Sequence, residues 1–162
     1  MADDRNHAQL DGLDRKLLRE LCRDARLSHV ELSERIGLSP TACARRLAHL
    51  EKAGVLRGYA PEIDAGLLGF SLTVIVLIAL ERQSEEALKA FEMEVAKCPD
   101  VVACHLMSGA DDYLLQVQAR DIADFERIHK THLSRLPGVA RVHSSFAMRS
   151  IIKRTISLSA LA

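Results

Sequence analysis

The residues best suited to binding chemistry lie on one face of a helix that begins at Ser39-Pro40. At helical spacing, the exposed face of that helix carries Thr41, Arg45, Arg46, His49 and Lys52. Such a helix suits the major groove of DNA, because arginines and backbone amides bind phosphates while side chains near the N-terminus reach base edges. Residue types alone leave a second interpretation open, a small helical subdomain with a solvated basic face.

A second candidate site is the turn Ser108-Gly109-Ala110-Asp111-Asp112. Successive backbone amides in such a turn can bind a carboxylate, and Asp111 or Asp112 can receive an ammonium group. The competing interpretation is an ordinary hairpin turn, in which glycine and aspartate are expected in any case. The residues by themselves favour the ordinary turn.

His129 and His132 are three residues apart on a predicted helix, one turn after Glu126, an arrangement that resembles half of a metal site. Helical projection places both histidines close to an apolar face that includes Phe125 and Leu133. A zinc site needs three or four ligands, and the sequence pattern offers no convincing others. We therefore expect packed or interfacial histidines and no bound metal.

The sequence does not predict catalysis. Cys104 and His105 are adjacent on a predicted strand, so their side chains point to opposite faces and cannot form a nucleophile–base pair within one chain. The sequence contains neither a P-loop nor the glycine pattern of a dinucleotide-binding fold. We therefore expect neither an enzyme nor a bound cofactor.

The composition is that of a well-packed globular chain. Of 162 residues, 48% are hydrophobic, and 22 basic side chains balance 22 acidic ones. Residues 1–60 carry 11 basic and 9 acidic side chains, which permits a mildly basic N-terminal unit. The acidic residues 1–4 predict no secretory signal, and the apolar run 70–80 is too short to cross a membrane. Four cysteines without CxxC spacing predict reduced thiols, so the expected location is the cytoplasm.

Three helices are predicted in the first third of the chain. The first extends from about residue 11 to 24, with leucines at helical spacing. The second follows a capping box of Ser28 and Glu31 and ends at Gly37. The third begins two residues later, at Ser39, and this short connection predicts a helix-turn-helix unit.

The rest of the chain alternates strands and helices in the order βαββαβ, followed by an extended piece at 154–159. The last helix is expected to continue from Asp121 almost to Pro137, with Ile122 on its apolar face. The order predicts a ferredoxin-like sheet with two helices on one face. The first strand is apolar on both faces, so we expect another subunit to cover the open face.

The expected fold is therefore α+β, with two domains. Residues 1–56 are predicted to form a winged-type helix-turn-helix domain and residues 57–69 a hinge. Residues 70–162 are predicted to form the ferredoxin-like βαββαβ domain.

Four motifs, in order and spacing, resemble the Lrp/AsnC or feast/famine family of transcriptional regulators. They are Ile36-Gly37-Leu38-Ser39-Pro40-Thr41, the Gly54-Val55-Leu56 and Gly58-Tyr59 pair, Cys104-His105-Leu106-Met107-Ser108-Gly109 with Asp112-Tyr113-Leu114-Leu115, and Leu136-Pro137-Gly138-Val139. The resemblance extends over nearly the whole chain, from about Leu13 to Ser159.

The resemblance implies an N-terminal DNA-binding domain and a C-terminal domain that dimerises through its sheet. Dimers of the family commonly assemble further, often to octamers, and bind small effectors, usually amino acids, at interfaces between dimers. The implied effector site comprises the 108–112 turn together with Leu106, Ile122, Ser145 and Phe146.

The resemblance also favours DNA contacts over a solvated face for the third helix. The expected contact residues are Ser39, Thr41, Arg45, Arg46 and His49. Ser39 is expected to act first as the N-cap. Arg45, beside Thr41, is the expected reader of a base edge, whereas Arg46 resembles an arginine of the family and is expected to hold phosphate.

The sequence thus predicts a regulator that binds specific sequences of double-stranded DNA and is modulated by an amino-acid effector. The alternative is an amino-acid-binding oligomeric sensor or scaffold whose helical domain contacts protein. Steep salt dependence distinguishes DNA binding from the alternative, because phosphate contacts release counterions.

Overall fold

The computed structural model describes residues 9–154 and 156–161, and the chain divides into two compact units. The first unit combines residues 1–62 with residues 153–162, and the second comprises residues 63–152. No helix in the described ranges is both long enough and apolar enough to cross a membrane.

Three helices build the first unit: α1 (Gly12–Arg23), α2 (His29–Ile36) and α3 (Pro40–Lys52). Asp11, Ser28 and Ser39 begin them, each accepting a hydrogen bond from the amide three residues later. α2 ends at Gly37, whose φ of +78° favours glycine, and this left-handed residue lets α3 begin after a short turn. The predicted helix-turn-helix is confirmed.

The core of the first unit contains a residue from the far end of the chain. Leu161 is 2% exposed and packs with the buried leucines of the three helices. It ends a 3₁₀ turn, Leu158–Leu161, that is held by hydrogen bonds from Arg15 and Arg19 to its last two carbonyls. The described residues of the expected extended piece at 154–159 form no strand, because the chain turns there to bury Leu161. Residue 155 lies outside the described residues.

The observed units therefore differ from the expected domains at the C-terminus. The described residues from 153 onward group with the helices of the first unit and not with 70–162, since the buried Leu161 packs in the helical core. Between α3 and the first strand, the chain forms turns and bends without a hydrogen-bonded strand.

The second unit is a four-stranded antiparallel sheet with two helices. Its elements are β1 (Leu72–Leu80), α4 (Glu85–Val95), β2 (Val101–Leu106), β3 (Tyr113–Ala119), α5 (Ile122–Thr131) and β4 (Val139–Phe146). The strand order is β2-β3-β1-β4, which confirms the ferredoxin-like arrangement predicted from the order of elements.

The two faces of the sheet differ in their packing. Val76 and neighbouring buried residues of β1 and β3 pack with Phe91 of α4 and Ile128 of α5. Ile75 and Leu77 alternate with the buried positions of β1, lie on the other face and remain partly exposed. The second unit by itself therefore leaves an apolar strip on its open face.

Helix α5 is shorter than its sequence pattern predicts. It ends at Thr131 because His132 leaves the helical conformation, with φ −122° and ψ −66°. A separate 3₁₀ turn, Leu133–Arg135, then brings Leu133 into the core. Ile122, expected on the apolar face, is 69% exposed on the first turn of the helix.

Candidate DNA-binding and effector sites

Helix α3 presents an exposed stripe of three side chains, Thr41, Arg45 and His49, each four residues from the next. Because residues i and i+4 share one face of a helix, the three side chains form a single row. Ser39 precedes this row, and its Oγ accepts a hydrogen bond from the Ala42 amide at 3.2 Å. Among the described residues, Arg45 has no carboxylate partner. The row is thus positioned to contact an external ligand.

Arg46 lies beside this row but has partners within the first unit. Its Nη1 lies 2.7 Å from Oδ2 of Asp11 and 2.7 Å from Oδ1 of Asp14. These two carboxyl groups form the capping box of α1. The amide of Asp14, and after it the Arg46 guanidinium, lower the pKa of the Asp11 carboxyl. The sequence pattern does not indicate either aspartate as a partner of Arg46, since both mark only a helix cap more than thirty residues away.

The turn between β2 and β3 is exposed at Ser108, Gly109 and Ala110. Within the described residues, the amides of Gly109, Ala110 and Asp111 donate no intramolecular hydrogen bond. Gly109 has a φ of +144°, a conformation that L side chains rarely adopt. These amides are therefore available to an anion, as the carboxylate-binding interpretation requires.

The two aspartates of the turn already have partners. Oδ2 of Asp112 accepts a hydrogen bond from the Leu80 amide at 2.6 Å. Oδ1 of Asp111 accepts one from Nη2 of Arg141 at 2.9 Å. Both carboxylates thus anchor the turn to neighbouring strands, a role that the sequence pattern did not predict.

The expected effector residues fall into two groups at opposite ends of the sheet. Leu106 and the 108–112 turn lie at the end where Ile78 of β1 pairs with the start of β3. Phe146 pairs with Val74, four residues earlier on β1. Four residues of strand span about 13 Å, which exceeds the length of a small amino acid. One chain therefore does not bring the two groups together.

The second group lies around the end of β4. The Phe146 ring packs edge-on against Phe125 of α5, with centroids 5.5 Å apart, and remains 44% exposed. Ser145 is exposed and pairs with Ile75 on the open face. Ile122 is exposed on the first turn of α5, so within one chain it forms no pocket wall.

The two histidines of α5 have different surroundings. The His129 ring packs edge-on against Phe125, with centroids 6.3 Å apart. His132 follows the last residue of the helix and lies beside Cys98 and Asp100. His129 is therefore a packed residue, as expected, and the two histidines face different neighbours.

Cys104 and His105 lie on opposite faces of β2, because they pair with consecutive residues Leu115 and Leu114 of β3. Partial desolvation, and after it the nearby Glu92 carboxylate, raise the pKa of the Cys104 thiol. The geometry agrees with the expectation that these two neighbours do not act as a nucleophile and its base.

Comparison with known proteins connects both units to one family. Residues 10–57 match the family described as winged helix-turn-helix DNA-binding, and residues 73–157 match the Lrp/AsnC ligand binding domain. The chain is 39% identical over 142 residues to the leucine-responsive regulatory protein of Escherichia coli K12, covering 88% of this chain and 87% of that protein. It is 36% identical over 148 residues to the Bkd operon transcriptional regulator of Pseudomonas aeruginosa, covering 91% and 97% respectively.

A solved structure with similar architecture comes from Neisseria meningitidis. It is a transcriptional regulator in complex with L-methionine, 36% identical to this chain, with a TM-score of 0.87. The match covers 94% of this chain and 99% of that one.

Proposed function

This chain belongs to the Lrp/AsnC family of transcriptional regulators, and on that premise we propose that it binds specific sequences of double-stranded DNA under the control of a small effector. The proposed effector is a free amino acid. The proposed DNA-binding form is a homodimer that assembles further, to an octamer. The relatives named above are transcriptional regulators, and the proposal assigns no catalysis to this chain.

The exposed row on α3 is the observation that carries the DNA-binding assignment. Thr41 lies in the first turn of the helix, where side chains reach base edges in helix-turn-helix complexes. Arg45 follows one turn later, and an arginine guanidinium can donate two hydrogen bonds to the edge of a guanine. His49 extends the row by one more turn, toward the sugar-phosphate backbone of the DNA. The capped N-terminus of α3 supplies backbone amides and a helix dipole that attract a DNA phosphate.

Salt dependence of binding to a selected duplex tests this assignment. Duplexes are selected from random DNA with the full-length protein, and affinity is then titrated by fluorescence anisotropy over a salt series. We expect the logarithm of the association constant to fall linearly with the logarithm of salt concentration, and the selected duplex to bind more tightly than its scrambled version. Equal, salt-independent binding to both duplexes would contradict the assignment and favour a protein-binding helical unit.

The effector assignment rests on the free amides of Gly109, Ala110 and Asp111, and on the distance that separates this turn from Ile122 and Phe146. The amides suit a carboxylate, and the exposed Ile122 and Phe146 suit an apolar side chain. Since about 13 Å of strand separates these groups in one chain, we propose that each site takes its turn from one subunit and its apolar wall from another. The neighbour solved with L-methionine supports an amino acid of this kind.

Homodimerisation is proposed through the open face of the sheet. Ile75 and Leu77 lie there without a covering helix in the second unit, and isologous pairing of two sheets would bury both copies of this strip. Light scattering of the full-length protein at micromolar concentration tests this step. A monodisperse monomer would contradict it.

A thermal-shift screen across the proteinogenic amino acids tests the effector class. A ligand that binds only the folded protein raises the melting temperature, and the rise grows with the logarithm of the ligand concentration above the dissociation constant. We expect a rise with one or more amino acids and none with their decarboxylated amines, since the turn amides need a carboxylate. A rise with amines alone would contradict the proposed role of the turn.

A further inference from the structure

Three side chains with different metal-binding atoms converge in the second unit. Sγ of Cys98, a carboxylate oxygen of Asp100 and a ring nitrogen of His132 all lie within 4.8 Å of one another. Cys98 is 5% exposed, and the other two residues are half-buried. We propose that these residues bind a divalent transition-metal ion, and that zinc is the ion that fits their donors best.

The donor set selects the class of metal. Zinc binds cysteine sulfur at about 2.3 Å, histidine nitrogen at about 2.0–2.1 Å and carboxylate oxygen at about 2.0–2.2 Å. Tetrahedral bonds of these lengths hold ligand atoms roughly 3.5 Å apart. Since the three atoms lie within 4.8 Å of one another, each pair needs to approach by at most about 1.3 Å to bind the ion. Calcium and magnesium prefer oxygen ligands, and a site with one sulfur and one nitrogen disfavours both. A thiolate and a carboxylate also balance the charge of a divalent ion.

The backbone fixes two of the ligands at the connection between α4 and β2. Cys98 and Asp100 flank Pro99. The Cys98 amide donates to the Val95 carbonyl at 3.0 Å, and the Asp100 carbonyl accepts from the Gln118 amide at 2.9 Å. The two ligands are therefore held by hydrogen bonds to different elements of the unit.

The third ligand, His132, is held by the end of α5. Its amide donates to the Ile128 carbonyl at 2.9 Å, and its non-helical backbone turns the side chain away from the face of α5 that carries His129.

The Asp100 carboxylate also has a cationic neighbour. Nη2 of Arg127 lies 3.7 Å from Oδ2 of Asp100 and pairs with that carboxylate. Such outer partners orient ligating carboxylates and leave the second oxygen for the metal.

The arrangement leaves a fourth coordination position. Zinc sites with three protein ligands take water or another small ligand there.

The sequence could not identify this site. The spacing of His129 and His132 suggests that the two histidines act together, but His129 packs against Phe125 instead.

Cobalt(II) titration of the full-length protein tests the proposal. Cobalt substitutes for zinc and shows a thiolate-to-cobalt charge-transfer band when sulfur is a ligand. We expect one ion per chain, with the band lost in Cys98→Ser. Loss of a residue that only orients a metal ligand weakens metal binding ~10–100-fold. Zinc competition should show a larger loss of zinc affinity than this in Asp100→Asn and in His132→Gln.

Two matched variants serve as controls. Cys104→Ser removes another thiol of the same unit, and His129→Gln removes the neighbouring histidine. Both should keep the band and the zinc affinity. Melting curves in chelator establish that each variant is folded, and Asp100→Asn tests the site if Cys98→Ser does not fold. Unchanged zinc affinity in folded Asp100→Asn and His132→Gln would overturn the proposal, as would equal losses in the two controls.

Discussion

Nη1 of Arg46 lies 2.7 Å from Oδ1 of Asp14 and so ties α3 to the capped start of α1. The Asp14 side chain is 9% exposed, whereas the adjacent Arg45 faces solvent. Two consecutive arginines of one helix therefore have different surroundings. Arg46 pairs within its unit, and Arg45 is available to a ligand. Replacing Arg46 should therefore lower stability, whereas replacing Arg45 should lower affinity for the ligand.

Arg46→Ala is expected to destabilise the first unit. Removing the guanidinium leaves the buried Asp14 carboxylate without its cationic partner, which costs about 1–3 kcal/mol in the free energy of unfolding. Denaturant unfolding of the full-length protein measures the loss. Arg35→Ala is the control, because its pair with Glu20 is longer and more exposed and should contribute at most about 1 kcal/mol. Equal, small losses in both variants would show that the pair with Asp14 does not stabilise the unit.

Arg45→Ala is expected to weaken DNA binding without changing stability. If its guanidinium reads a base, the loss is about 1–3 kcal/mol on the selected duplex and much smaller on a scrambled duplex. Arg26→Ala removes the same charge from an exposed position outside α3 and should lower affinity for the two duplexes equally. If Arg45→Ala behaves like Arg26→Ala, Arg45 does not read a base.

Mixed oligomers test whether the effector site is shared between subunits. Gly109→Ala strains the turn at a φ of +144°, and Phe146→Ala removes the apolar wall at the other end of the sheet. Each variant alone should lose the effector-induced rise in melting temperature. Co-refolding the two in equal amounts should restore about one quarter of the sites, since an intact turn then meets an intact wall. No recovery in mixed oligomers of confirmed composition would place the whole site in one chain.

Acid should weaken the first unit through Asp11. The pKa of this carboxyl is lowered below its ordinary value of 3.8 when the protein folds. Its contribution to stability is therefore complete above about pH 4 and is lost as the pH falls through the lowered pKa. Asp11→Asn should melt lower than the wild type at neutral pH and lose less stability on acidification. Melting curves from neutral to strongly acidic pH measure this, and parallel curves for the two proteins would contradict it.

Leu161→Ala should destabilise the first unit as much as a core mutation within its helices. The side chain is 2% exposed among buried leucines, and truncation of such a residue costs about 2–5 kcal/mol in the free energy of unfolding. Ile156→Ala is the control, because Ile156 is 43% exposed and its truncation should cost about 0.5 kcal/mol or less. Similar costs for both variants would show that the C-terminal turn adds nothing to the core.

The sequence predicts the features that depend on neighbouring residues. Ser28 with Glu31 marks the start of α2, Gly37 marks its end, and the order of strands and helices predicts the sheet topology. These signals lie within a few residues of the structure that they specify. Local patterns therefore predict the helix-turn-helix, the four strands of the sheet and the exposed row on α3, but not the end of α5.

Contacts between distant residues could not be predicted in the same way. Arg46 meets Asp14 across 32 residues, and Leu161 reaches the core of the first unit from the end of the chain. His132 lies beside Cys98 because α5 ends at Thr131, whereas the spacing of apolar residues predicts a helix that continues almost to Pro137. Each of these contacts depends on packing between elements, and no local spacing of residues encodes it.

The burial of Leu161 has a consequence for where the chain can be divided. The three helices are contiguous in the sequence, but their core includes a residue that follows the second unit. All the strands and helices of the second unit, in contrast, lie within residues 63–152. A fragment of the three helices alone therefore lacks part of its own core, whereas a fragment of residues 63–152 keeps every buried residue of the sheet and its two helices.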